Sequence, residues 1–395
     1  MNVRELKKPA ERIKPAYISR LKLQGYDVSN LYPQFIEAFL AASPTAGGCT
    51  DRLATYIEGR GIADEATALL EVNPARETLA DILHLCAEDF AKFNGFALHV
   101  GYNAFYEISS LRVIPFADLR LFESDASGYV SQIAYFPDWS EETTRAGKRL
   151  KVTPETLERY DIFNPDKSVV AAQMREAGGS AHYKGQILYV TNHGRNVYPT
   201  APIDRILNEA STDEGISNVK NRNVKNNFLP AGMLIRKGGG GGVIADDDNP
   251  EARYMRERAS NGFSEALAAL QGDTNACNLL EVEIDYEEEK PEFAPIQVQN
   301  FDKIFEATEA STTERIYAAF NQEAFYCLRV GKIGFSGALM ADAKKEYAEQ
   351  QVKRQALIER TLNSVIRYFA PEVIPAGTKI ALLPYVDINK ATDEL

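Results

Sequence analysis

Apolar residues recur at helical period most clearly in the last quarter of the chain. Phe301, Ile304 and Phe305 fall at i, i+3 and i+4, and Ile316 and Phe320 repeat that spacing. This is one apolar helix face, and it predicts a helix over 300–322. From Asn321 the period breaks, and Gly331, Gly334 and Gly337 follow within seven residues. Glycines so close together cannot continue a helix, so 323–339 is expected to be an ordered, pliable loop. Ala338 to Phe369 returns to helical period with no internal Pro or Gly. Tyr347, Val352, Leu357, Ile358, Leu362, Val365, Ile366 and Phe369 form its apolar side, and Pro371 ends it. A continuous helix of that length spans about 48 Å, more than the core of a compact domain usually needs.

The earlier chain mixes both periods. Residues 1–30 carry Arg4, Lys7, Lys8, Arg12, Lys14, Arg20 and Lys22, and Ile13, Tyr17, Ile18 and Leu21 suggest a solvated helical arm. Two short helices are expected around Phe35–Leu40 and Leu53–Ile57, separated by a breaker from Ser43 to Gly48. Leu79, Ile82, Leu83, Cys86 and Phe90 mark a helix over 77–93. Asn94-Gly95 then opens a run expected to be a meander of antiparallel strands. It covers Phe96–Ile108, a turn at Ser109-Ser110, Leu111–Leu121 and Tyr129–Phe136.

Trp139 to Ser180 is polar, with helices expected at 154–160 and 168–176. Gln186–Thr191 reads as a strand. Ile203–Phe228 reads as a helix polar on most faces, weakened at Gly215, which is easier to explain by packing around an axis than in a monomer core. Between the two polar helices lie Gly238–Gly242, Asp246–Asp248, a helix over 251–271 and strands over 278–286 and 293–299. The run Glu281–Glu292 first alternates apolar and acidic residues, as a half-buried strand does. Ile380–Val386 reads as a short final strand.

Composition changes the picture mainly by exclusion. With 395 residues, 45% apolar and 25% charged, the chain can bury a large core in more than one domain. A net charge of −12 argues against a nucleic-acid binder of the basic-patch kind. A negative wall could still surround a duplex and leave it mobile, with weak and salt-labile affinity. Cys49, Cys86, Cys277 and Cys327 have no metal-ligand spacing and read as reduced structural thiols. No apolar run is long enough for a membrane span, and the N-terminus has no signal-type apolar region, so work in the cytoplasm or in a particle built there is expected. The glycines at 238–242 are no phosphate loop, because Lys237 precedes them and acids follow. His84 and His99 sit in apolar contexts that suggest packing, and His182 and His193 in loops without a second ligand. No nucleophile motif or paired catalytic carboxylate stands out, so no catalytic residue, metal or cofactor is expected.

Particular residues carry a family resemblance. Thr313-Glu-Arg-Ile-Tyr-Ala-Ala-Phe-Asn-Gln-Glu-Ala-Phe-Tyr-Cys-Leu328 resembles the late segment of portal proteins of long-tailed bacteriophages. There a stem helix ends in a similar Ile-Ala-x-x-Phe turn, a channel-lining tunnel loop follows, and a long helix crosses the wing. The Val-Pro usual after that Phe is replaced here by Asn321-Gln322-Glu323-Ala324. Asn103-Ala-Phe-Tyr-Glu-Ile108 with Pro115-Phe-x-x-Leu-Arg-Leu121 resembles the wing hairpins, and Phe228–Arg236 the exit from stem to clip.

The resemblance implies an α+β portal fold. Its parts would be a wing over 1–202, stem helices over 203–228 and 300–322, and a small α/β clip over 229–299. A tunnel loop over 323–339 and a long wing helix with a tail over 340–395 would follow, with a short or absent crown. It further implies a dodecameric ring in the virion, at the capsid vertex, assembled in bacterial cytoplasm. Double-stranded DNA would pass through it during packaging and ejection, and the major capsid protein, the terminase large subunit and a neck or tail adaptor would be its partners. Arg329, Lys332 and Phe335 would line the channel, and Glu287, Glu288 and Glu289 would meet the adaptor. Two alternatives stay open. Phe325 to Phe335 could be ordinary core with Arg329 and Lys332 snorkelling to solvent, and the chain could be a cytosolic, non-enzymatic adaptor or scaffold binding a protein partner through its polar helices.

Overall fold

A computed structural model of the chain describes residues 16–141, 144–145, 148–149, 151–192, 197–226, 232–237, 271–272, 275–276, 279–284, 301–331 and 337–386. The chain divides into two compact units, Met1–Ala210 with Thr313–Leu395, and Ser211–Thr312.

The first unit is built on an eight-stranded sheet. Its strands are β1 (Ala16–Ile18), β2 (Leu23–Gly25), β3 (Gly95–Tyr102), β4 (Ile108–Val113), β5 (Leu119–Phe122), β6 (Gln132–Tyr135), β9 (Glu158–Ile162) and β10 (Gln186–Thr191). A small separate hairpin holds β7 (Thr144–Arg145) and β8 (Lys148–Arg149). The order across the large sheet is β1-β2-β5-β6-β9-β10-β3-β4. The expected meander is therefore two hairpins, kept apart by β9 and β10. Phe96, Ala97 and Leu98 are all fully buried, as in a strand covered on both faces, and β3 pairs on both sides, with β4 and β10. Among the described residues β9–β10 is the only parallel pairing in this sheet.

Three further expectations are corrected here. Residues 16–25 form a hairpin in the sheet, where Ala16 pairs with Gly25, rather than a helical arm; 1–15 lie outside the described residues. The turn between β3 and β4 is at 103–107, where Asn103 Oδ1 accepts from the backbone N–H groups of Phe105 and Glu107. Ser109 and Ser110 are strand residues. The segment read as a helix over 154–160 runs into strand β9, because Tyr160 pairs with Ile133 and Arg159 with Ala134.

Helices α1 (Tyr32–Ala42), α2 (Pro44–Glu58), α3 (Glu65–Ala68) and α4 (Leu79–Phe93) follow the first hairpin. The presumed breaker at Ser43–Gly48 is the first turn of α2: Ser43 caps it by accepting from the Ala46 N–H, and Pro44 takes the first helical position. Gly47 lets α2 approach α1, since a Cβ there would lie 2.7 Å from the Leu40 carbonyl oxygen. In α4, Thr78 and Asp81 form a reciprocal capping box, and Asn94 closes the helix in the left-handed conformation. This helix packs on β3, with Phe90 edge-on to Phe96 at 5.8 Å and Phe93 stacked on Phe116 at 5.7 Å. Helix α5 (Lys167–Glu176) matches its expected place closely.

Strand alternation divides the core. Leu119, Leu121 and Ile133 join the main cluster with the helices, while Phe122, Ala134 and Phe136 turn to a second cluster with Leu21, Leu23, Trp139, Val152 and Leu157. The last described segment adds an antiparallel bridge from Leu382 to Ile62 rather than a strand.

Helix α6 (Leu207–Asn226) follows a 3-10 turn at Pro202–Ile206, and α7 (Phe301–Ala319) is the second polar helix. In the first unit Arg315 pairs with Glu209 at 3.5 Å, and in the second Lys220 pairs with Glu309. The second unit also contains β11 (Gly232–Lys237), β12 (Gln271–Gly272), β13 (Asn275–Ala276) and β14 (Leu279–Ile284). Strand β11 pairs in parallel with β14, and parallel strands require a long crossover between them. After α7 come α8 (Glu323–Arg329) and α9 (Gly337–Ile366).

Candidate functional site

The segment the sequence singles out for function begins where α7 ends. Asn321 takes a left-handed backbone (φ 55°), turning the chain out of α7. Gln322 then enters the core completely. Its amide donates to the Cys49 carbonyl at 2.9 Å and to the Tyr347 hydroxyl oxygen at 2.8 Å, and its oxygen accepts from Arg52 at 3.0 Å. One side chain thus ties the α7–α8 turn to α2 and α9. A buried amide satisfied on both ends is worth keeping, because each unpaired group would cost about 1–3 kcal/mol.

Helix α8 replaces the first half of the expected loop. Residues 323–329 carry no glycine, so nothing prevents one helical turn after another until Gly331, whose φ is +68°. Tyr326 and Leu328 are buried. Phe325 meets Tyr347 edge-on at 5.6 Å and lies under the Arg52 guanidinium at 4.8 Å, while Tyr326 faces Tyr317 at 5.6 Å. For these residues the core alternative holds. Arg329 donates to the Tyr317 hydroxyl at 3.2 Å, and that hydrogen bond raises its pKa.

Beyond Leu328 the chain leaves the core. Arg329, Val330 and Gly331 before residues 332–336 are exposed, and so are Gly337, Ala338 and Leu339 after them. Lys332 and Phe335 lie outside the described residues, so of the three channel candidates the structure places Arg329 alone. Glu287, Glu288 and Glu289 also lie outside them, as do Gly238–Gly242, Asp246–Asp248, most of the helix expected over 251–271 and the strand expected over 293–299. Of the expected acidic strand, Leu279–Ile284 is present, with Glu281 opposite Leu234 and Glu283 opposite Arg236.

Long helix α9 supports this junction. Its buried side includes Tyr347, Gln351, Gln355, Ile358, Leu362, Val365 and Ile366, whereas Val352, expected there, is partly exposed at 38%. The two glutamines were not singled out by sequence reasoning. Their signal was nonetheless present, since 347, 351, 355, 358 and 362 follow one stripe at helical spacing. Gln355 donates to the Tyr56 carbonyl at 3.3 Å, and Arg354 Nη1 donates to Gln351 Oε1.

Among the described residues the histidines show no common site. His84, expected in packing, is half exposed instead, 2.9 Å from Glu58 and 3.4 Å from Glu88, and the hydrogen bond to Glu58 raises its pKa. His99 donates through Nε2 to the Lys184 carbonyl at 2.6 Å while Arg112 Nε–H donates to Nδ1 at 3.3 Å. Cys49 and Cys86 are buried thiols outside any disulfide, and Cys327 is half-buried. Among the described residues no group of acidic, His or Cys side chains could hold a metal ion. Among them, too, no helix is long and apolar enough to cross a membrane.

No protein-family profile matches the chain, and no curated protein matches it. Solved structures do. The chain is similar to one in the virion of a native gene transfer agent particle, at 14% identity and a TM-score of 0.51, over 89% of this chain and 83% of that one. It is also similar to a chain in the neck of the native gene transfer agent particle computed with C12 symmetry, at 14% identity and a TM-score of 0.50, over 91% and 84% of the two chains. A phage portal protein of the HK97 family from Corynebacterium diphtheriae matches at 10% identity and a TM-score of 0.35, over 87% and 93%. At these identities the likeness to the gene transfer agent chains is one of fold, and it covers nearly the whole chain. This chain thus shares the fold of those gene transfer agent chains.

Proposed function

We propose that the chain is a portal subunit: a non-enzymatic structural protein whose copies close into a dodecameric ring at one vertex of a phage-like capsid. The observation that carries this reading is the fold shared over 91% of the chain with a component of a neck computed with C12 symmetry. The portal-like wording of 313–328, in the same chain, supports it independently of the fold. In this reading double-stranded DNA passes through the ring during packaging and ejection, the terminase large subunit docks on it during packaging, and the neck or tail adaptor docks there afterwards. The first unit with its large sheet is the wing, α6 and α7 are the stem, and the parallel pair β11–β14 belongs to the clip.

Residues 330–337 are then the tunnel loop. Support comes from the exposed residues at both ends of this segment and from the anchored helix α8 before it, which holds its base in place. Arg329 and Lys332 are the only charges between Glu323 and Asp342. Long cations at a constriction attract phosphates briefly without reading bases. Changing both to Glu is expected to leave rings intact while packaging slows or DNA retention falls. Normal packaging and retention in that double variant would remove the channel role from this segment and leave the rest of the assignment to stand or fall on assembly.

A further inference from the structure

We propose that a small cavity between the start of the 3-10 turn at Pro202 and the middle of α9 is a binding site for a protonated oxyanion, monohydrogen phosphate, gripped by Arg205 and Arg354. The cavity measures about 120 Å³, and Asn94, Thr200, Phe320 and Asn321 help to line it. That is roughly four waters at about 30 Å³ each, room for one tetrahedral oxyanion.

The charge balance asks for an anion. Two guanidinium groups line the same small space, and no acidic side chain among the described residues does so. Burial lowers the pKa of Arg354, and the Arg205 charge lowers it further, so the two cations sense each other. Like charges brought together without a counter-ion are unfavourable, and an oxyanion between them turns repulsion into two charge-assisted contacts.

Unsatisfied atoms indicate how it would bind. Arg354 donates through Nη1 to Gln351, yet its Nε is buried without a hydrogen-bond partner. Nε belongs to the edge with which a guanidinium grips an oxyanion through two parallel N–H bonds. Asn94 Oδ1 is likewise buried without a partner, and the Asn94 amide N–H donates to the Thr200 carbonyl at 2.8 Å, which fixes which end is the oxygen. A ligand in this cavity that both accepts and donates would meet the two cations and the unpaired Asn94 oxygen together. Monohydrogen phosphate accepts from the arginines and donates its O–H to Asn94, whereas sulfate has no proton to give. The occupied site would link the C-terminal end of α4, the segment entering α6, the turn after α7 and the middle of α9.

Because the site belongs to the first unit alone, it does not depend on the portal reading. Inorganic phosphate titrated into the full chain near neutral pH, at fixed ionic strength in a non-phosphate buffer, should show saturable heat and a saturable rise in melting temperature. Sulfate should bind more weakly. Arg205 is exposed, so Arg205→Gln should fold, and it should bind phosphate roughly ten- to a hundredfold more weakly, the loss of one charge-assisted contact. Asn94→Gly keeps the left-handed helix end and should erase the preference for phosphate over sulfate. Absent saturation, equal response to both anions in the wild type, or unchanged affinity in Arg205→Gln would each overturn the site and leave a cavity filled by water.

Discussion

Buried charge decides most of what single residues contribute here. Arg120 is fully buried on β5 and is paired with oxygens rather than with a carboxylate. It donates to the Asn30 side chain and the Asn30, Ala117 and Leu119 carbonyls at 2.7 Å, and to Gln34 at 3.2 Å. Its plane also lies 4.8 Å from the Trp139 ring centroid. Burial pulls its pKa down to about 10, so it stays charged at neutral pH. Asp89 presents the opposite case. Burial pushes its carboxyl from 3.8 up to about 7, despite the Phe116 N–H it accepts at 3.2 Å. Folded protein then holds a proton that the unfolded chain has released between about pH 4 and 7, so stability falls as pH rises through that window and levels off above it. Asp118, also raised to about 7 by burial, acts in the same direction. Asp89→Asn retains an oxygen for the Phe116 N–H and removes the buried charge. Urea unfolding should find this variant more stable than wild type above neutrality, on the order of 2–4 kcal/mol, and close to it near pH 4. Parallel pH profiles for the two proteins would show that Asp89 does not titrate in this way. None of the three groups was legible in the sequence. Arg120 stands between Leu119 and Leu121 in a run where only a partner over 80 residues away could reveal its role.

At the scale of elements, period and capping were legible, and long-range pairing was not. Helices α4, α7 and α9 lie where apolar spacing puts them, and α5 lies where a helix is expected within a polar run. Ser43–Gly48 reads locally as a breaker because of Pro44 and two glycines, although Ser43-Pro44 is a helix start. Strand β9 does not show in local spacing, because its partner β6 is more than 20 residues distant. The half of the candidate site in α8 is hidden in the sequence because Gly331, Gly334 and Gly337 follow it closely.

Two elements give direct tests. Gly59 ends α2 at φ +72°, and a Cβ there would lie 2.1 Å from the Leu383 carbonyl oxygen. Gly59→Ala should therefore cost about 1–3 kcal/mol and loosen the last described segment from α2, seen as faster hydrogen exchange at Arg60, whose N–H bonds to the Leu383 carbonyl at 2.9 Å. Unchanged stability and exchange would mean that the close approach is not rigid. In the clip, Glu287, Glu288 and Glu289 changed together to Lys are expected to leave ring assembly intact and impair neck attachment. Failed assembly with normal attachment in the surviving rings would contradict the assignment of an adaptor contact to that run.

For the whole molecule, the order of elements was more informative than any motif. Two polar helices flank a small insertion, and a longer helix follows; that order led to the portal resemblance, and the fold shared with neck chains over 91% of the sequence agrees with it. Helices α6 and α7 explain why assembly is the natural expectation. Glu209 pairs with Arg315 and Lys220 with Glu309 at their surfaces, contacts worth little in water, so these helices gain most of their stability from burial. Closed cyclic symmetry supplies such burial by giving every copy the same neighbours. In the proposed ring a net charge of −12 per chain would add up, and DNA affinity is expected to be weak and salt-labile. The mass of the purified full chain, measured by light scattering at micromolar concentration in physiological salt and paired with negative-stain images, tests the proposal most directly. A closed ring of about twelve subunits is the predicted result. A monodisperse monomer, with no rings in the images, would contradict it.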